Sequence, residues 1–184
     1  MKKIYNLIFT LAVIATLFTV LVAKEIQLKS IELCGDKGGY AKGGTWKSNS
    51  LLGKINVLIY TDPDKSSDIK QFVLDIEKEK IENNNFNLTF IVNTEATMLP
   101  TFAIRSKIKS KAKVSTTINY VLDNDKVLVE EWELQDNGVN ILVLDSLNQV
   151  QYQQAGKVKP DQFEKIMKII NKSFLEQGVF NPLQ

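Results

Sequence analysis

Two counts bound the chemistry open to this chain: one cysteine, Cys34, and no histidine. Without imidazole there is no Ser-His-Asp or Cys-His nucleophile and no histidine metal ligand. A lone sulfur makes no intrachain disulfide, no CxxC redox pair and no thiolate cage for zinc. Cys34 can still pair with another chain or be oxidised in an oxidising compartment. Its alternative reading is a small hydrophobe continuing the Ile31–Leu33 stretch.

Four further groups carry polar or aromatic chemistry. Asp62, Asp64, Ser66 and Ser67 surround the expected start of a helix, where backbone N–H groups can hold an anion or a carboxylate. The same serines can simply cap that helix, and the two aspartates repel an anion. Asp123-Asn124-Asp125, Asp136-Asn137 and Asp145 with Asn148 offer calcium-type oxygens but lack an EF-hand register. Such residues also favour turns in their own right, so no metal is assigned. Gly35-Asp36-Lys37-Gly38-Gly39 and Gly43-Gly44 match neither a dinucleotide fingerprint nor a P-loop. Trp46 and Trp132 could line a ligand groove or a partner surface, or fill the core. No cofactor is implied by any of these groups.

The elements that must position these residues begin with an address. Lys2 and Lys3 precede an uncharged, mostly apolar run, Ile4 to Ala23, which ends at Lys24-Glu25. Positive flank, apolar core and a small final residue describe a secretory signal peptide over residues 1–23. The run is also long enough to span a bilayer as an uncleaved anchor. Either way, residues 24–184 are expected outside the cytoplasmic membrane as a single domain. Losing the two lysines of that segment leaves 21 basic residues against 21 acidic. That balance argues against nucleic-acid binding, which needs a basic surplus. The cluster Arg105, Lys107, Lys109, Lys111 and Lys113 reads as a solvated helix face.

Beyond the address, Ile55 to Tyr60 and Phe86 to Asn93 read as strands buried on both faces. A weaker strand is expected over residues 25–34. Ile69, Phe72, Val73 and Ile76 mark a helix capped by Ser66, Ser67 or Asp68. A further helix is expected from about Pro100. Ile118–Asp123, Val127–Leu134, Asn140–Asp145 and Val150–Gln153 read as strands joined by polar turns. Phe163, Ile166, Met167, Ile170 and Phe174 stripe a last helix that opens at Pro160 and stops at Gly178. The result is an α/β fold: a mixed central sheet flanked by helices.

One family shares this order of landmarks. Trp46, Leu51 to Lys54, Ile91-Val92-Asn93 and Val121-Leu122-Asp123 are followed by Trp132-Glu133-Leu134, Val143-Leu144-Asp145 and Gly156. From about residue 46 to the final helix, the chain resembles a thioredoxin-like domain and, more narrowly, the YtfJ family of exported bacterial proteins. That resemblance implies a thioredoxin-like fold and a periplasmic location. It implies no mechanism, because the family is functionally uncharacterised. It also places Asp64-Lys65-Ser66-Ser67 where CxxC would open the first central helix, and Val139-Asn140 where a proline usually precedes the later strand. Classical thiol–disulfide exchange needs the two missing sulfurs.

The expected protein is therefore a non-catalytic periplasmic binding domain. It takes an unknown protein or small ligand near Asp62–Ser67, binds no nucleic acid, and touches membrane only if residues 1–23 are retained. The alternative is a thiol-dependent enzyme or redox partner using Cys34. The intact mass of exported protein is expected to begin at Lys24; a mass that still includes residues 1–23 replaces the soluble periplasmic protein with an anchored one.

Overall fold

The structure, a computed structural model, describes residues 26–81, 84–96 and 100–178. Residues 1–23, expected as a signal peptide, lie outside the described residues. In chain order the elements are β1 (Glu32–Leu33), β2 (Gly38–Tyr40), β3 (Trp46–Lys47), β4 (Ile55–Thr61), α1 (Ser66–Lys78) and β5 (Phe86–Asn93). They continue with α2 (Thr101–Val114), β6 (Ile118–Asp123), α3 (Val127–Glu131), β7 (Val139–Leu144), β8 (Val150–Ala155) and α4 (Pro160–Glu176).

Every residue of β4 is buried, which is why its sequence is an apolar run rather than an alternation. The strand sits in the middle of a six-stranded sheet ordered β2-β6-β5-β4-β7-β8. Strands β4, β5 and β6 run parallel; β2, β7 and β8 pair antiparallel. Alternation along β4 then builds two cores. Ile55, Val57 and Ile59 face Ile69, Phe72 and Ile76 of α1, Ile104 and Ile108 of α2, and Ile166, Ile170 and Phe174 of α4. Leu58 and Tyr60 face the opposite layer, made with Leu33, Trp46, Leu128 and Trp132.

Both tryptophans are buried in that second layer. Their rings meet edge to face at 6.1 Å, a favoured aromatic geometry. The Trp132 indole N–H donates to the Lys29 carbonyl at 2.8 Å, so its polar edge is satisfied inside. Neither tryptophan is left as a surface contact.

Three sequence expectations are corrected. Val127–Leu134, expected as a strand, contains α3 instead. Its apolar and acidic alternation is compatible with a short helix, and the Asp123 carboxylate decides the matter by accepting the N–H groups of Val127 (3.0 Å) and Leu128 (2.9 Å). The N-terminal strand over residues 25–34 contracts to β1 and one bridge between Gln27 and Gln149. No side chain caps α1; a 3-10 turn at Pro63–Lys65 leads into it. By contrast, α4 opens at Pro160 as read, with the Lys159 N–H donating to the Gln162 side-chain oxygen at 2.8 Å. None of the described helices is long and apolar enough to cross a membrane.

Edge strand β2 lies so close to β6 that only glycine fits. A Cβ on Gly38 would lie 2.0 Å from the Leu122 carbonyl oxygen, and Gly38 has φ of +127°. Gly35, also at positive φ, has open space around it. Gly38→Ala is expected to cost more than about 3 kcal/mol in urea unfolding. Gly35→Ala is expected to cost only about 1 kcal/mol; equal losses would refute the close-approach account.

Candidate functional site

The carboxyl ends of the three parallel strands come together in register: Thr61 opposite Val92, and Asn93 opposite Asp123. Each strand ends in a polar residue that is nonetheless buried: Asp62 just after β4, Asn93 in β5 and Asp123 in β6. The ligand crevice of open α/β sheets lies at this end of the strands.

Hydrogen bonds fix the cluster. Asn93 donates through Nδ2 to Asp62 Oδ1 at 3.1 Å, while its own oxygen accepts the N–H groups of Glu95 and Ala96. The amide orientation is thereby set by the following loop. The Asp62 N–H donates to the Gly138 carbonyl at 3.1 Å, which ties the end of β4 to the entry of β7. Tyr60 donates its hydroxyl to Asp123 Oδ2 at 3.2 Å. Lys126, whose φ is +54°, pairs with Asp136 at 3.1 Å. The Asn140 side chain bonds both the N–H and the carbonyl of Gln135 at 2.8 Å, bracing the loop that carries Asp136.

Burial sets the electrostatics. It raises the Asp62 carboxyl to about 6, with the Asn93 hydrogen bond opposing and the Asp136 charge adding to the shift. Burial also raises Asp123, against the hydrogen bonds it accepts from Leu128, Val127 and Tyr60. The Tyr60 phenol is pushed far above its usual value by burial and then by the neighbouring Asp123 charge. Hydrogen bonding between Lys126 and Asp136 holds the lysine up and the acid down. Asp62 and Asp123 thus both hold their protons more tightly than ordinary carboxyls, while the Lys126–Asp136 pair favours its charged forms.

The residues singled out from sequence do not converge. Asp62 is buried, whereas Asp64, Ser66 and Ser67 are exposed at the start of α1. Cys34 is exposed between β1 and the Gly35–Lys37 3-10 turn, so the reading of it as a buried hydrophobe is corrected. The acidic turns are committed to local structure: Asp145 Oδ1 accepts the N–H groups of Leu147 and Gln149, and Asp123 caps α3. Among the described residues, no group of three or more His, Cys, Asp or Glu is placed to hold a metal ion.

Tyr60 and Lys126 have no site role in the sequence reading, where Asn93 enters only as a family landmark and Asp136 only as a turn oxygen. A usable signal was present: FNLTFIVN and INYVLD each end a mostly apolar run on a polar residue, and both of those residues are buried.

Comparison with known proteins gives the fold and a family. A family of bacterial proteins of unknown function, YtfJ_HI0045, matches residues 21–173. The uncharacterised protein YtfJ of Escherichia coli K12 is 27% identical over 131 residues, covering 70% of this chain and 71% of the relative. Among solved structures, a provisionally named protein disulfide isomerase of Bacteroides thetaiotaomicron superposes with TM-score 0.62 at 17% identity, covering 86% of this chain and 94% of the other. The thioredoxin domain of a thiol-disulfide oxidoreductase of Bacteroides vulgatus gives 0.56 at 16%, covering 82% and 99%. The exposed lipoprotein thioredoxin of Streptococcus pneumoniae gives 0.56 at 15%, covering 76% and 98%. The fold is thioredoxin-like.

The raised Asp62 carboxyl makes a signed prediction. The folded state holds this proton more tightly than the unfolded chain, so Asp62 lowers stability as pH rises from about 4 through 6. Asp62→Asn keeps the acceptor for Asn93 and removes that loss. Urea unfolding is expected to show little difference from wild type at pH 3.5 and a variant more stable by up to about 3 kcal/mol at pH 7. A pH-independent difference would refute the burial of a titrating carboxyl.

Proposed function

This chain belongs to the YtfJ_HI0045 family of bacterial proteins of unknown function, and from that premise we propose that it is a periplasmic, non-catalytic binding domain. It uses a thioredoxin-like scaffold to hold a protein or small ligand at the carboxyl end of the sheet, beside Asp62–Ser67. The observation that carries this reading is the buried Asp62–Asn93–Asp123 cluster at the ends of three parallel strands. A buried carboxyl whose ionisation is opposed by desolvation destabilises the fold it sits in, and such costs concentrate at functional sites.

The absence of catalysis is supported by composition. Asp64-Lys65-Ser66-Ser67 opens α1 without sulfur, and the chain has one cysteine and no histidine. Export is supported by the positive flank and apolar run of residues 1–23 and by the likeness to an exposed lipoprotein thioredoxin. The exposure of Cys34 favours one second reading, a redox partner that joins its thiol to another protein's cysteine.

Affinity capture from a periplasmic extract tests both. The captured partner is expected to be lost when Asp64 and Ser67 are replaced by Ala, two exposed positions whose change leaves the core intact. Retention in that double variant with loss in Cys34→Ser would transfer the function to the thiol. Retention in both would place binding elsewhere.

A further inference from the structure

Helix α2 carries Arg105, Lys107, Lys109, Lys111 and Lys113, and no carboxylate in its 14 residues. Like charges at i,i+4 destabilise a helix, and here Lys107 faces Lys111 while Arg105, Lys109 and Lys113 form a second such row. Among the described residues no α2 cation is in an ion pair. The concentration stands out because the chain beyond residue 23 has equal numbers of basic and acidic residues.

Position sharpens the point. Ile104, Lys107, Ile108 and Lys111 follow i, i+3, i+4, i+7, the spacing of one helix face. Ile104 and Ile108 are buried against the sheet, so the two lysines lie on the border of the apolar face. There they line a cavity of about 90 Å³ floored by Phe90, Val92, Ile104 and Ile108. Its remaining wall is Thr61, Pro63 and Ser66, the end of β4 and the start of α1. The start of α1 borders the same opening, but Asp64 and Asp68 stand at that helix end, so the positive charge of the opening comes from the two lysines.

An apolar floor beneath two unpaired ammonium groups selects one ligand chemistry. The anion meets the lysines and an aliphatic group fills the floor. Size limits that group: an engineered apolar cavity of about 150 Å³ holds benzene, so this one takes a short branched chain and excludes a long acyl tail. We propose that the cavity between α1 and α2 binds short aliphatic carboxylates, either as free acids or as the carboxyl-terminal aliphatic residue of a peptide. This assignment rests on the binding reading above and names the ligand class for it. It also gives a role to a lysine cluster that otherwise reads as a solvated face.

The test is amide chemical-shift titration of 15N-labelled protein with 4-methylpentanoate, its neutral amide, and acetyl-Ala-Leu with a free or an amidated carboxyl terminus. Saturable shifts at Thr61, Ser66 and Ile104 with the carboxylates, at least about tenfold weaker with the amides, support the proposal. Binding of the free acid alone identifies a small-molecule source, and binding of the peptide alone a protein terminus. Lys107→Gln with Lys111→Gln is expected to weaken binding at least about tenfold without lowering the unfolding midpoint, since it also relieves a like-charge pair. Absence of saturation by either carboxylate, or binding indifferent to both lysines, overturns it. If partner capture still depends on Asp64 and Ser67 in that event, the ligand class is wrong and the binding reading stands; if capture is also independent of them, both fall.

Discussion

A single buried carboxylate organises the half of the molecule that sequence patterning describes least well. Asp123 ends β6 fully out of solvent, where an unpaired charge costs several kcal/mol. Its donors include the Val127 and Leu128 N–H groups, the Tyr60 hydroxyl and the Asp125 backbone. Because two of those donors belong to the first turn of α3, satisfying the charge also directs the chain. The helix is started against the sheet, Leu128 enters the second core, and Trp132 arrives beside Trp46. Tyr60 in turn ties the central strand β4, one strand beyond β5, to the same oxygen. Loss of this acceptor would leave a buried phenol and two helix N–H groups without partners.

That arrangement explains where sequence reading succeeds and where it stops. β4, β5, β7 and α4 are legible because burial writes itself into composition: INVLIYT has to be apolar when both faces are covered, and the Phe163–Phe174 stripe has to recur at helical spacing. Val127–Glu131 is not legible in this way. Its conformation is chosen by a carboxylate four residues upstream whose burial depends on strands far away in sequence, and alternation alone fits a strand equally well. The candidate site suffers similarly. Asp62 stands out as a chemical residue, yet its partner Asn93 lies 31 positions later and meets it only through parallel pairing. The family resemblance supplied the scaffold, and the polar ends of the strands supply what the resemblance lacks.

The two polar features at the carboxyl end of the sheet differ in kind. Asp62 and Asp123 are enclosed, hydrogen-bonded and tuned by desolvation; Lys107 and Lys111 are exposed and unpaired among the described residues. Enclosed charge fixes geometry at a standing cost to stability, and exposed charge leaves the fold nearly unaffected while attracting an opposite charge. Thr61 and Asp62 connect them, since one lines the cavity and the other joins the buried cluster. A thioredoxin-like scaffold without its dithiol has thus kept a polar end to its sheet, now built from oxygen and nitrogen.

The bridge between Gln27 and Gln149, with the Val150 N–H donating to the Ile26 carbonyl, fixes where the chain enters the domain. Val150 pairs with Leu144, which faces Asn56 near the start of β4. The described chain therefore begins at the opposite pole of the sheet from Thr61 and Asp62, roughly 20 Å away along β4. Any tether upstream would pull on the far pole and leave the other facing outward. The cavity and the polar strand ends therefore stay clear of whatever the chain is joined to before Ile26.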